Sequence, residues 1–175
     1  MLDVKTPLSK IHRTSRRVNK GTFLAAPGLW AYITTGNVLA NIASTSTNQA
    51  QAKVLKIVMG NASSSQYESN DIEVGSISTL EGVFRATVDG SGYQVTDSSS
   101  TAFTASDYLQ GAELTVAYKV TTVATSTYAF ALAADIGKLR PALAGELVVA
   151  RVENIDTTLN QLTFETVTPY PLRTS

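Results

Sequence analysis

Val83-Phe84-Arg85-Ala86-Thr87-Val88-Asp89-Gly90-Ser91-Gly92-Tyr93-Gln94-Val95-Thr96 is the stretch from which the fold is most readily read. Two runs rich in β-branched and aromatic residues flank a four-residue turn signal, so the stretch predicts a β-hairpin. Downstream, residues 146–152 (ELVVARV) and 161–167 (QLTFETV) predict a second hairpin across residues 154–160. Residues 113–120 (ELTVAYKV) add a strand of good length, made of residues that suit a pleated surface. Residues 127–134 (TYAFALAA) are ambiguous between a strand and a short helix, because alanine favours the helix. The Pro169-Tyr170-Pro171 end is extended by the fixed φ of proline.

Upstream the texture is the same. Residues 29–33 (LWAYI) read as a strand after the Pro27-Gly28 turn signal, and Gly36-Asn37 separates them from residues 38–42. Residues 53–59 (KVLKIVM) form a short apolar run, and residues 71–74 (DIEV) alternate polar with apolar, the period of a half-buried strand. Small polar stretches at 43–52, 62–70 and 98–107 are expected to be loops. No long amphipathic helix, no βαβ rhythm and no repeat of fixed period is present. The expected fold is all-β: a compact antiparallel β-barrel or sandwich, in one body spanning residues 21–175.

Residues 1–20 differ. They hold six basic side chains against one acid, although the whole chain balances 14 basic with 14 acidic residues. The body is therefore mildly acidic. Pro7, the serines and the threonines disfavour a long helix, and the aliphatics show no period. Such a segment buries too little to order itself, so it is expected to be an extended basic arm shaped by a partner. Leu8, Ile11 and Val18 would fill shallow pockets, while Lys10, Arg13, Arg16, Arg17 and Lys20 would pair with acids. The arm lacks the aromatic residues of a single-strand binder, so a protein partner is favoured over nucleic acid.

The residues offer little chemistry. With no cysteine, disulfide frameworks, thiol catalysis and cysteine-held zinc are excluded. The single histidine, His12, lies in the arm, a poor place for a catalytic base that must be held rigidly. Asp71 with Glu73, and Asp89 with Asp97, are the nearest carboxylate pairs; their serine- and glycine-rich surroundings read as wet turns rather than a glycosidase cleft. Asp89-Gly90-Ser91-Gly92 lacks the acids of a calcium loop, and no phosphate-binding glycine motif occurs. The expectation is a protein that is not an enzyme and uses no cofactor or metal. Residues 23–33 are too short, and broken by Pro27-Gly28, to span a membrane, and no signal-peptide pattern appears. A soluble protein, made in a cytoplasm and fully retained after synthesis, is expected.

The order KGTFLAAPGLWAYI (20–33), RATVDGSGY (85–93), YLQGAELTVAYK (108–119), AGELVVARVENI (144–155) and NQLTFETVTPYPL (160–172) resembles the small decoration, or cement, proteins of tailed-bacteriophage capsids. The likeness runs from about residue 21 to 172. Serine-rich insertions at 61–70 and 96–106, and the basic leading segment, depart from that pattern. The resemblance implies a non-enzymatic virion protein on the outer surface of an icosahedral shell, commonly a homo-trimer, that bridges neighbouring major capsid proteins. The alternative is a glycan- or receptor-binding virion module, head fibre or tail-associated, supported by Tyr67, Tyr93 and Tyr108 in polar loops. A small hydrolase built on Asp71, Glu73, Asp89 and Asp97 is the third reading.

Overall fold

A computed structural model describes residues 1–19, 27–33, 38–41, 56–58, 74–94, 105–117, 137–142 and 146–171. Among these residues the regular elements are strands, apart from two 3-10 turns at Leu8–Lys10 and Ala105–Tyr108. The strands are β1 (Leu2–Val4), β2 (His12–Asn19), β3 (Trp30–Ile33), β4 (Val38–Asn41), β5 (Lys56–Val58), β6 (Val74–Glu81), β7 (Arg85–Asp89), β8 (Glu113–Val116), β9 (Leu139–Pro141), β10 (Leu147–Asp156) and β11 (Gln161–Pro171). The protein is all-β, as its alternating runs and turn residues imply.

Six strands form one sheet in the order β1-β7-β11-β10-β8-β9, and the other five close into a ring, β2-β4-β3-β5-β6. The ring closes through the parallel pairing of β2 with β4, Arg17 opposite Val38 and Val18 opposite Leu39. Closure leaves those strands without a free edge. Inside the ring, Val18, Ala31, Leu39 and Ile77 form a small apolar cluster. The main core lies between the outer wall of the ring and the sheet. Trp30 and Leu80 project from the ring there and join Phe84, Val88, Leu114, Leu162 and Phe164. The opposite face of the sheet is polar and ion-paired: Arg85 meets Glu153 at 2.7 Å, and Arg151 meets Glu113 at 3.3 Å. One dry face and one wet face are usual for an antiparallel sheet.

The leading segment is extended, but it does not project from the body. β1 pairs with β7, Leu2 opposite Val88 and Val4 opposite Ala86. β2 pairs with β6 along eight positions, from His12 opposite Glu81 to Asn19 opposite Val74. The two ladders form one bent ribbon that leaves the sheet and enters the ring. The expected division into an arm of residues 1–20 and a body from residue 21 is therefore corrected, since Leu2–Val4 and His12–Asn19 are strands of the body. The cause is visible in β2 itself. Its inward positions are Thr14, Arg16 and Val18, and the first two are polar because that mouth of the ring is polar. No apolar period was there to be read.

The expected hairpin at 83–96 is also corrected. β7 already has β1 on one side and β11 on the other. The chain after its turn has no edge to join, so Tyr93 makes only an isolated parallel bridge to Leu139. Tyr93 is 3 % exposed and stacks edge-on against Tyr108, with ring centroids 5.4 Å apart. The second hairpin is found, and it is longer than expected: β10 runs to Asp156 and the turn occupies residues 157–160. The expected strands at 29–33 and 38–42 correspond to β3 and β4. Residues 53–59 and 113–120 are described only as β5 and as β8 with Ala117. Residues 127–134, 43–52 and 62–70 lie outside the described residues.

Val88 is clamped between two glycines. A Cβ at Gly28 would lie 2.7 Å from Val88 Cγ1, and one at Gly92 would lie 2.7 Å from Val88 Cβ. Gly28 also has φ +94°, where L-residues are strained. Gly28→Ala is expected to cost about 2–4 kcal/mol, combining left-handed strain with overpacking. Chemical denaturation measures it, and a Val88→Ala background should return the overpacking part.

Candidate interaction surface

The basic residues of the leading segment are sorted by the strand period. Arg13, Ser15 and Arg17 face outward and Thr14, Arg16 and Val18 face the interior, so neighbours in sequence lead different lives. Arg16 donates to Glu81 Oε1 at 2.7 Å, and Thr14 donates to the same oxygen at 2.8 Å. Thr14 and Thr79 share a hydrogen bond at 3.1 Å, which completes a polar plug at one mouth of the ring. Val18 is fully buried and Ile11 is 8 % exposed, so both belong to the cores rather than to a partner. Leu8 lies in the first 3-10 turn, its side chain outside the described residues, and Lys20 is outside them altogether. Of the eight residues expected to contact a partner, Lys10, Arg13 and Arg17 remain at the surface. Arg13 reaches Ser78 Oγ at 3.1 Å.

His12 is largely exposed, with Nδ1 3.8 Å from Glu81 Oε2. Asp89 sits in the turn beside Ser91. Partial burial raises its pKa, but hydrogen bonds from the Met1 ammonium and from the hydroxyl and amide of Ser91 outweigh this and hold the carboxyl below its ordinary value. A carboxyl held ionised in this way is a poor general acid. Asp71, Glu73 and Asp97 lie outside the described residues, as does Tyr67. Tyr93 and Tyr108 are 3 % and 1 % exposed, so neither offers a ring to a sugar. Tyr108 donates to the carbonyl of Gln94 instead.

One concavity was not anticipated. Its floor is Trp30, Leu80 and Phe84, and its walls are the β6–β7 bend (Glu81, Gly82, Val83) and residues 166–169 of β11, around about 180 Å³. Two distortions shape it. Gly82 takes φ +101° as the chain passes from ring to sheet. β11 bulges where Val148 opposite Tyr170 gives way to Ala150 opposite Thr166. The bulge leaves residues 167–169 facing Val149 alone, and bulges of this kind re-aim side chains at functional rims. Thr166 pins the corner: its hydroxyl donates to Gly82 O at 2.8 Å and accepts from Phe84 N at 2.8 Å. The Glu81-Gly82-Val83 bend was the available sequence signal, since a glycine inside a strand run marks a kink or bulge. Trp30 is 6 % exposed, and its Nε1–H has no hydrogen-bond acceptor among the described residues.

Elsewhere Arg140 and Glu146 form a two-pronged ion pair at 2.8 and 2.5 Å, with 1 % and 9 % of their side chains exposed. Among the described residues no group of three or more His, Asp and Glu side chains is placed to hold a metal ion. Comparison of the chain with protein-family models, with curated proteins and with solved structures finds no match.

Proposed function

We propose that the chain is a non-enzymatic virion structural protein. In this reading it sits on the outer surface of an icosahedral phage capsid, as a homo-trimer assembled after synthesis in the host cytoplasm. There it bridges neighbouring major capsid proteins. The observation that carries the reading is the exposed basic row of Lys10, Arg13 and Arg17, on a body whose remaining charge is acidic. Arg13 and Arg17 lie on β2 and Lys10 in the 3-10 turn before it, rather than on a loose tail, so docking has less backbone to order and loses less entropy. The sequence resemblance to decoration proteins points the same way. A protein that binds the assembled shell better than free subunits stabilises the shell by linkage.

The partner contact is thereby reassigned. Ile11, Arg16 and Val18 hold the body together, and the outer face of β2 meets the capsid protein. Exposed charges at such a rim govern encounter rate and salt dependence. Arg13→Glu with Arg17→Glu is expected to weaken occupancy of purified shells by about tenfold and to flatten its dependence on salt. Unchanged occupancy of the shells by the double variant would remove this reading. The glycan-binding alternative loses the support of Tyr93 and Tyr108, which are buried.

A further inference from the structure

We propose that the concavity at the β6–β7 bend is a socket for Leu159 of a second copy of this chain. Leu159 is 62 % exposed at the tip of the β10–β11 hairpin. The tip is built to hold its shape. Asp156 Oδ1 accepts from the amides of Thr158 and Leu159, both at 2.9 Å. Asn160 takes the left-handed conformation at φ 52° and accepts a hydrogen bond from the buried Tyr93 hydroxyl. A leucine presented on a locked turn binds with little ordering cost.

The socket suits it in size and apolarity. Its volume of about 180 Å³ equals that of about six waters, room for one leucine-sized side chain. Its floor is aromatic and aliphatic, and its rim carries Val83, 55 % exposed. Docking would cover both Val83 and Leu159, two of the four large apolar side chains that the described surface exposes. Glu81 is already engaged by Arg16 and Thr14. The one charged side chain among the described residues of the socket wall is thereby compensated from within the ring. Leu109 is as exposed as Leu159, but its turn is laid against β10 through Gly111 N–H to Val152 O at 2.8 Å and does not project.

Leu159 lies eight residues before Val167, roughly 26 Å along β11. It cannot reach its own socket. The contact is consequently head-to-tail, with different patches on the two partners, and closes into a ring or propagates as a chain. The proposal shares with the proposed function only the expectation of a homo-oligomer, and its test uses the protein without shells, so the two readings fail separately.

Sedimentation velocity of the full chain at up to about 100 µM, with Leu159→Asp and Val83→Glu, provides the test. The parent is expected to self-associate, and each variant to do so at least about tenfold more weakly. Both positions are exposed, and far-UV circular dichroism should show the parent fold in each. An equimolar mixture of the two variants should give a 1:1 dimer, because the intact tip of one meets the intact socket of the other. A parent that sediments as a monomer throughout, or a mixture that stays monomeric, overturns the proposal.

Discussion

Removal of residues 1–19 is expected to abolish cooperative folding. The truncation takes away β2 and so opens the ring along its whole β6 edge and its β4 edge. It strips Val18 from the inner cluster and Ile11 from the main core, each worth about 1.5–3 kcal/mol when buried. Leu39 and Ile77, both in the inner cluster with Val18, become exposed as well. The lost eight-position ladder leaves the backbone of β6 unpaired on that side. Together these losses are of the order of the whole stability of a domain, about 5–15 kcal/mol. The truncated chain should show no sigmoidal thermal transition and should bind a hydrophobic dye. A sharp melt near that of the full chain would mean that the leading segment is dispensable, and the closed ring would have to be abandoned.

The second large effect belongs to the Arg140–Glu146 pair. Glu146→Ala leaves a guanidinium that is 1 % exposed without its carboxylate, and breaking a buried pair on one side costs about 3–5 kcal/mol. The midpoint of urea unfolding should fall accordingly, with little change in slope. Replacing both partners, Arg140→Met with Glu146→Leu, should recover most of the loss, because the desolvation of both charges disappears with them. Arg140→Lys should fall between the two, since a lysine keeps the compensating charge but cannot reproduce the two parallel hydrogen bonds. If the double replacement is as unstable as Glu146→Ala, the pair contributes more than charge compensation and the argument from desolvation fails.

The candidate surface was partly legible before the structure. The basic character of the leading segment is plain from composition, and Lys10, Arg13 and Arg17 keep the exposure expected of partner-facing residues. Arg16 does not, and no local reasoning separates it from Arg17. Which arginine faces in depends on the register with β6, eight positions of pairing with a strand more than fifty residues away. Of the concavity only the kink at Gly82 was legible, since the rest is assembled from β3, the β6–β7 bend and the end of β11.

By itself the amino-acid order determined the fold class, the β10–β11 hairpin and several strands, because alternation, β-branched runs and turn residues act over a few positions. Tertiary structure alone decided that residues 2–19 are body rather than arm, and that residues 85–94 carry a strand but no hairpin. A strand's partner is chosen by which edges remain open and which faces must be buried. Those are properties of the assembled sheet. They put the polar Thr14 and Arg16 inside a ring that a distant Glu81 helps to make habitable.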